Sequence, residues 1–224
     1  MNLEALLLSL RLAGTVSAIL LVLSLPLAYW LAFTAWRGKF LVESVVALPL
    51  VLPPTVLGFY ALIAMGPRGA LGRLWQLVFG HPLAFTFTGL VIASLVYSLP
   101  FAMQPLVASL ESLDRRLLDA SAILGASQAR AFFRIILPLA WPGVITALVL
   151  SFAHTLGEFG VVLMVGGNLP GITRTISIDI YDRVQALDYA RAHQTAFLLL
   201  VISFVVLSVV YGVNRRVWTP WARR

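Results

Sequence analysis

The sequence contains no cysteine, and only 11% of its 224 residues are Asp, Glu, Lys or Arg. The first absence excludes disulfides, thiolate metal sites and cysteine nucleophiles. The second excludes an ordinary soluble domain, in which about a quarter of residues are charged. No Gly-x-x-x-x-Gly-Lys-Ser/Thr run is present, so the chain carries no P-loop to cradle a nucleotide. A Gly-x-Ser-x-Gly elbow is missing too, and so is any carboxylate cluster at metal-ligand spacing. Little remains from which to build an enzyme or a resident cofactor site.

What is there is apolar. Hydrophobic residues make up 60% of the chain and the mean hydropathy is +0.95, values of an integral membrane protein. The charge-free runs 12–36, 44–67, 82–110, 135–153 and 194–214 each approach the ~20 residues that a spanning helix needs. They are continuous rather than alternating, which excludes an outer-membrane barrel. The expected fold is therefore an all-α membrane protein, a polytopic bundle of about five transmembrane helices in one domain over 1–224. The first run is too long for a signal-peptide core and is expected to persist as a membrane helix. No internal repeat or linker is present.

A pI near 10.6 would point to nucleic acid in a soluble chain. Here the basic residues cluster at the ends of apolar runs, as membrane orientation requires, so no nucleic-acid partner is expected. Arg37 and Lys39, then Arg115, Arg116, Arg130 and Arg134, then Arg215, Arg216, Arg223 and Arg224 fall on one face, ten of the sixteen basic residues. The positive-inside rule makes that face cytoplasmic and puts the N-terminus outside. Trp218 and Trp221, with the terminal arginines, read as a surface anchor, and Trp75 as part of an interfacial belt.

Two membrane segments are irregular. Leu48-Pro-Leu-Val-Leu-Pro-Pro-Thr-Val-Leu-Gly58 has prolines at Pro49, Pro53 and Pro54, each removing a backbone donor, while Gly58 permits close helix approach. Broken backbone at membrane depth is tolerated where protein or a wet cavity satisfies it, so the segment either lines a pathway or is a packed proline kink. The second, Ser151-Phe-Ala-His-Thr-Leu-Gly-Glu-Phe-Gly160, carries His154 and Glu158 four residues apart, with Gly157 and Gly160 beside them. On a helix the two ionisable groups share a face, and within a membrane they must be paired or wet. They read as a pathway or gate pair, or as structural hydrogen-bonding groups. Pro26, Pro100 and Pro105 are expected to kink their spans. Residues 65–72 read as an outer loop, and 173–192 as an amphipathic or half-buried helix.

Between the third and fourth runs lies a polar island. Leu113, Leu117, Ala120 and Leu124 recur at helical spacing as one face, with Glu111, Asp114, Arg115, Arg116 and Asp119 on the other. Gly125 suits a left-handed helix closure, Ser127 a cap, and Phe132, Phe133, Ile136 and Leu137 a second apolar face that Pro138 ends. The island is thus a cytoplasmic helical hairpin over 111–138, a handle for a soluble partner.

The spacing Asp119-Ala120-Ser121, Gly125, Ile135-x-Leu137-Pro138 resembles the Glu-Ala-Ala loop of binding-protein-dependent ABC importer permeases, with Asp119 for Glu and Ser121 for the second Ala. Segments 48–58, 65–72 and Leu156-Gly-Glu-Phe-Gly160 are similar to molybdate permeases, with sulfate permeases as near relatives. The resemblance implies a type I importer permease domain over about 9–213, with ATPase coupling through the loop residues just named. It further implies a homodimer, two ABC ATPase subunits that bind the ATP, and a periplasmic or lipid-anchored molybdate-binding protein. Sulfate or tungstate import is the alternative within this class, and an ATPase-independent channel or carrier the alternative outside it. Arg68, Arg73, Arg174, Arg183 and Arg191, on the outer face, are candidates for attracting an oxyanion or docking the binding protein.

Overall fold

The computed structural model describes residues 2–218, with side chains through 208 and at 211 and 212. The arginine and tryptophan side chains of the tail anchor lie outside that description. Among the described residues three helices are long and apolar enough to cross a bilayer, α1 (Leu3–Phe33), α5 (Phe87–Glu111) and α12 (Tyr189–Trp218). Two more spans are bent pairs. The first joins α2 (Lys39–Val51) to α3 (Pro54–Met65) at 110°, and the second joins the helical stretch Gln128–Leu139 to α9 (Trp141–Gly157) at 69°. The five charge-free runs thus each correspond to a span or a bent pair.

Between spans lie α4 (Ala70–Phe79) and the hairpin helix α6 (Arg115–Ile123). The hairpin's second arm contains α7 (Gln128–Ala131), a π-helical turn Phe132–Ile136 and α8 (Leu137–Leu139). The short α10 (Gly160–Gly166) and α11 (Ile176–Gln185) follow α9. The outer loop expected at 65–72 turns helical from Ala70, because Leu71, Leu74, Trp75 and Val78 recur at helical spacing beyond the glycines. Pro26 sits inside the single helix α1, and Pro100 and Pro105 inside α5.

The core is α1, α5 and α9 packed together. Leu31, Met103, Leu106, Leu110 and Val144 fill one end, and Leu12, Val16, Leu20, Leu90 and Val162 the other. A satellite cluster joins α3, α5 and α10 through Leu57, Ala93, Val161 and Val165. At the first end, Lys39 reaches Glu43 and Glu111 at 3.5 Å each, and Arg115 donates to the Ala32 carbonyl at 3.1 Å. At the opposite end, Asn2 donates to Asp179 at 3.0 Å and the Ile176 amide donates to Ser9 Oγ at 2.8 Å. Arg37, Lys39 and the hairpin therefore share one end of the bundle, and the start of the chain and α11 share the other.

Candidate functional site: a docking hairpin and two broken helices

The hairpin begins where Asp114 caps α6, its carboxylate accepting the Arg116 amide at 2.9 Å. Gly125 takes φ +75°, the left-handed region that reverses the chain, and the Ala126 amide closes the turn on the Ser121 carbonyl at 3.0 Å. Ser127 Oγ then accepts the Arg130 amide at 3.3 Å and starts the second arm.

The apolar stripe of α6 is turned outward. Leu117 and Ala120 are exposed, Ile123 is 85% exposed and Leu124 87%. On the other side of α6, Arg115 reaches the carbonyl end of α1, where a cation is favoured, with its guanidinium 5.9 Å from the Phe33 ring. One turn on, Leu118 joins the core, and Ser121 is buried with its hydroxyl donating to the Leu118 carbonyl. Asp119 is exposed beside this stripe.

The second arm does not stop at Pro138 as expected. Having no N–H, Pro138 leaves the ladder short of a donor, and the preceding turn adapts by running π-helically, with the Leu137 amide reaching the Phe132 carbonyl. The chain stays helical to Leu139 and bends at Ala140 into α9. Ile135 and Leu137 are half-buried, Pro138 is exposed, and Phe133 is 65% exposed.

The two irregular membrane segments meet. The first breaks after Leu52, not at Pro49, which lies buried inside α2, and Pro54 opens α3 at a position whose missing N–H costs nothing. The second breaks after Gly157. There the Glu158 carboxylate, 6% exposed, turns back to accept the Val161 amide at 2.8 Å and so caps α10. The broken elements then pack so closely that a Cβ on Gly160 would lie 2.7 Å from Pro54 Cβ, and one on Gly58 would lie 2.9 Å from Met164 Cβ. Pro53, Pro54, Gly58, Glu158 and Gly160 therefore form one knot of interrupted backbone.

His154 and Glu158 do not form the pair their spacing predicted. Because α9 ends at Gly157, the shared face is lost before Glu158. His154 Nδ1 lies 3.0 Å from Ser98 Oγ, which lies 2.9 Å from Thr155 Oγ1, and the imidazole stacks on Phe101 at 3.8 Å. Sequence reasoning missed these α5 partners, although Tyr97, Phe101 and Gln104 stand at helical spacing on one stripe.

Three of the five arginines expected on the outer face are held by carboxylates. Arg174 donates to Asn168 at 2.7 Å and lies 3.7 Å from Asp182, and Arg191 lies 3.7 Å from Asp188. Arg183 Nε donates to Asp179 at 2.7 Å. Burial pushes the Asp179 carboxyl up, but hydrogen bonds from Arg183 and Asn2, with the charges of Arg183 and Arg174, outweigh it and hold it below the ordinary carboxylate range. Among the described residues no group of three or more His, Asp or Glu is placed to hold a metal ion.

A family model described as the binding-protein-dependent transport system inner membrane component matches residues 24–219. The molybdenum transport system permease protein ModB of Azotobacter vinelandii is 50% identical over 96% of this chain and 95% of its own length. ModB of Escherichia coli K12 is 42% identical over 81% of this chain and 80% of its own. A probable sulfate transport system permease protein of Chlorella vulgaris is 34% identical over 78% of this chain and 65% of its own. In fold, the chain is similar to a bacterial ABC transporter involved in import of the polysaccharide alginate, with a TM-score of 0.78 at 18% identity over 97% of this chain and 80% of that one.

Proposed function

The chain belongs to the family of binding-protein-dependent transport-system inner membrane components, and from that premise we propose that it is the membrane-spanning subunit of an ATP-driven importer of molybdate. The observation that carries the reading is the hairpin: a turn closed by Gly125 between two spans, presenting Leu117, Ile123 and Leu124 to the outside. An apolar stripe beside an exposed Asp119, beyond the apolar runs, suits a soluble protein partner. Two ATPase subunits, one per copy in a homodimer, would seat on these hairpins through Asp119, Ala120, Ser121 and Gly125, with Ile135, Leu137 and Pro138 in the arm that returns to α9.

Nucleotide chemistry belongs to those subunits, and the chain itself is no enzyme. The hairpin lies at the cytoplasmic end with Arg37 and Lys39, the N-terminus outside and the C-terminus inside. A substrate-binding protein docks at the opposite end, where α11 and the α10–α11 loop lie. Motion of the hairpin reaches α9 through the bend at Ala140 and, beyond it, the knot at Pro54, Gly58, Glu158 and Gly160. There two interrupted helices line the path, with Pro49, His154 and Gly157 on the adjoining turns.

The substrate reading rests on the 50% identity to the Azotobacter permease over nearly the whole of both chains. Radiolabelled molybdate uptake by proteoliposomes containing this chain, its ATPase and its binding protein tests both parts. ATP-dependent uptake that excess sulfate does not suppress is the expected result. Uptake without the ATPase would overturn the coupling role, and preferential sulfate uptake the substrate. Replacing Gly125 with Val should release the ATPase, which is read as ATPase co-purification.

A further inference from the structure

At the outer end of α1 a cavity of about 350 Å³ is lined by residues that include Glu4, Leu7, Arg11, Phe87, Gly171 and Ile172. It holds one cation and one carboxylate that do not satisfy each other. Neither Glu4 nor Arg11 has an ion-pair partner among the described residues. Seven residues apart on α1, they stand on one face roughly 10 Å from each other along the axis. Both are fixed from the far side of the cavity. The Arg11 guanidinium lies 4.6 Å from the Phe87 ring centroid. Glu4 Oε1 lies against Gly171, where a Cβ would come within 2.8 Å and φ is +74°.

The depth of the cavity is set by the helix. At 31 residues, α1 is about 46 Å long, well beyond the ~30 Å of hydrocarbon it crosses. Its uncharged run starts at Leu12, so Arg11 stands at the outer edge of the hydrocarbon and Glu4 two turns further into the headgroup layer. Leu7 and Ile172, 64% and 51% exposed, are apolar walls at that same level.

We propose that this cavity binds a phospholipid with a zwitterionic, primary-ammonium headgroup, of the phosphoethanolamine class. Arg11, at the depth of the glycerol, takes the phosphate, and Glu4, farther out, takes the ammonium through N–H donors. Leu7 and Ile172 cover the glycerol and the first acyl carbons. A phosphocholine head brings a charge but no N–H to Glu4, and a phosphoglycerol head brings O–H donors but no charge, so each satisfies that carboxylate less well than a primary ammonium does. The assignment is independent of which anion the protein transports.

Native mass spectrometry of the purified transporter, with phosphatidylethanolamine, phosphatidylcholine or phosphatidylglycerol added in turn, tests it. Phosphatidylethanolamine should remain bound to the wild type in preference to the other two. Glu4→Gln and Arg11→Gln should each weaken that binding by about tenfold to a hundredfold, the factor that one hydrogen bond to a charged group is worth. Arg11→Lys, which keeps the charge, should retain most of it and guards against a folding effect. Equal binding of the three lipids, preference for phosphatidylglycerol, or undiminished binding in both Gln variants would overturn the site. So would the absence of any adduct, which would mean that a second copy or the binding protein covers the cavity.

Discussion

The two broken spans have similar outlines and different chemistry. Between α2 and α3 the interruption is written in covalent structure, since Pro53 and Pro54 cannot donate and fix their own φ. Between α9 and α10 no proline is present, and a carboxylate does the work, Glu158 accepting the Val161 amide that the first turn of α10 leaves free. One break is redundant and permanent, whereas the other hangs on a single side chain. In the proposed path, the second break is the one that can change while the first stays fixed.

The largest effect should come from forcing the two apart. Gly160→Val puts a side chain into Pro54, an overpacking that costs about 1–3 kcal/mol, and ATP-dependent uptake should be lost. Gly157→Ala, in the same bend but with nothing within 4 Å of its Cβ, should transport normally. Similar behaviour of these two variants would show that close packing is not what joins the breaks. Next in size, Glu158→Ala removes the cap of α10 and should lower stability by about 1 kcal/mol, read as Tm in nanodiscs. Glu158→Gln keeps an acceptor oxygen and should recover most of that loss, and a Gln variant as unstable as Ala would mean that the charge itself matters.

The proline break should respond less. Pro53→Ala leaves Pro54 at the start of α3, so stability should change by less than about 1 kcal/mol, with uptake retained. A loss as large as that of Glu158→Ala would erase the contrast between the breaks. The smallest effect lies away from both, at the cluster around Asp179 on α11. Asp179 has its pKa depressed in the folded protein, so its contribution is present above the ordinary carboxylate range and is lost as pH falls through the lowered value. Tm should therefore fall on acidification below about pH 4, and Asp179→Asn should flatten that acid limb while transport at neutral pH is unchanged.

The spans were legible because lipid imposes length and composition on them, and the hairpin because Gly125 and Ser127 act locally. The Pro53–Pro54 break was legible for the same reason. What could not be read depended on neighbours. Spacing on a continuous helix pairs His154 with Glu158, and that helix ends one residue too soon. The outward turn of Leu117 and Leu124 goes with contacts on the opposite side of α6, where Arg115 reaches the Ala32 carbonyl and Leu118 the core, and both partners lie on other helices. The contact of Gly160 with Pro54 joins segments 106 residues apart, and no local pattern announces it. α4 was missed because its first residues share the glycine-rich stretch that reads as a turn.

The bonds from Asn2 to Asp179 and from the Ile176 amide to Ser9 tie the beginning of the chain to a segment made some 170 residues later. The polar groups at the N-terminal end of α1 therefore lack these partners when the ribosome releases it, although α5, with Phe87 and Leu90, arrives sooner. At ordinary elongation rates they wait on the order of ten seconds or more for α11 to emerge. The latch at this end of α1 is thus closed late, by the last-made third of the protein, and truncations before residue 176 should leave the first helix packed on α5 but without its bonds to α11.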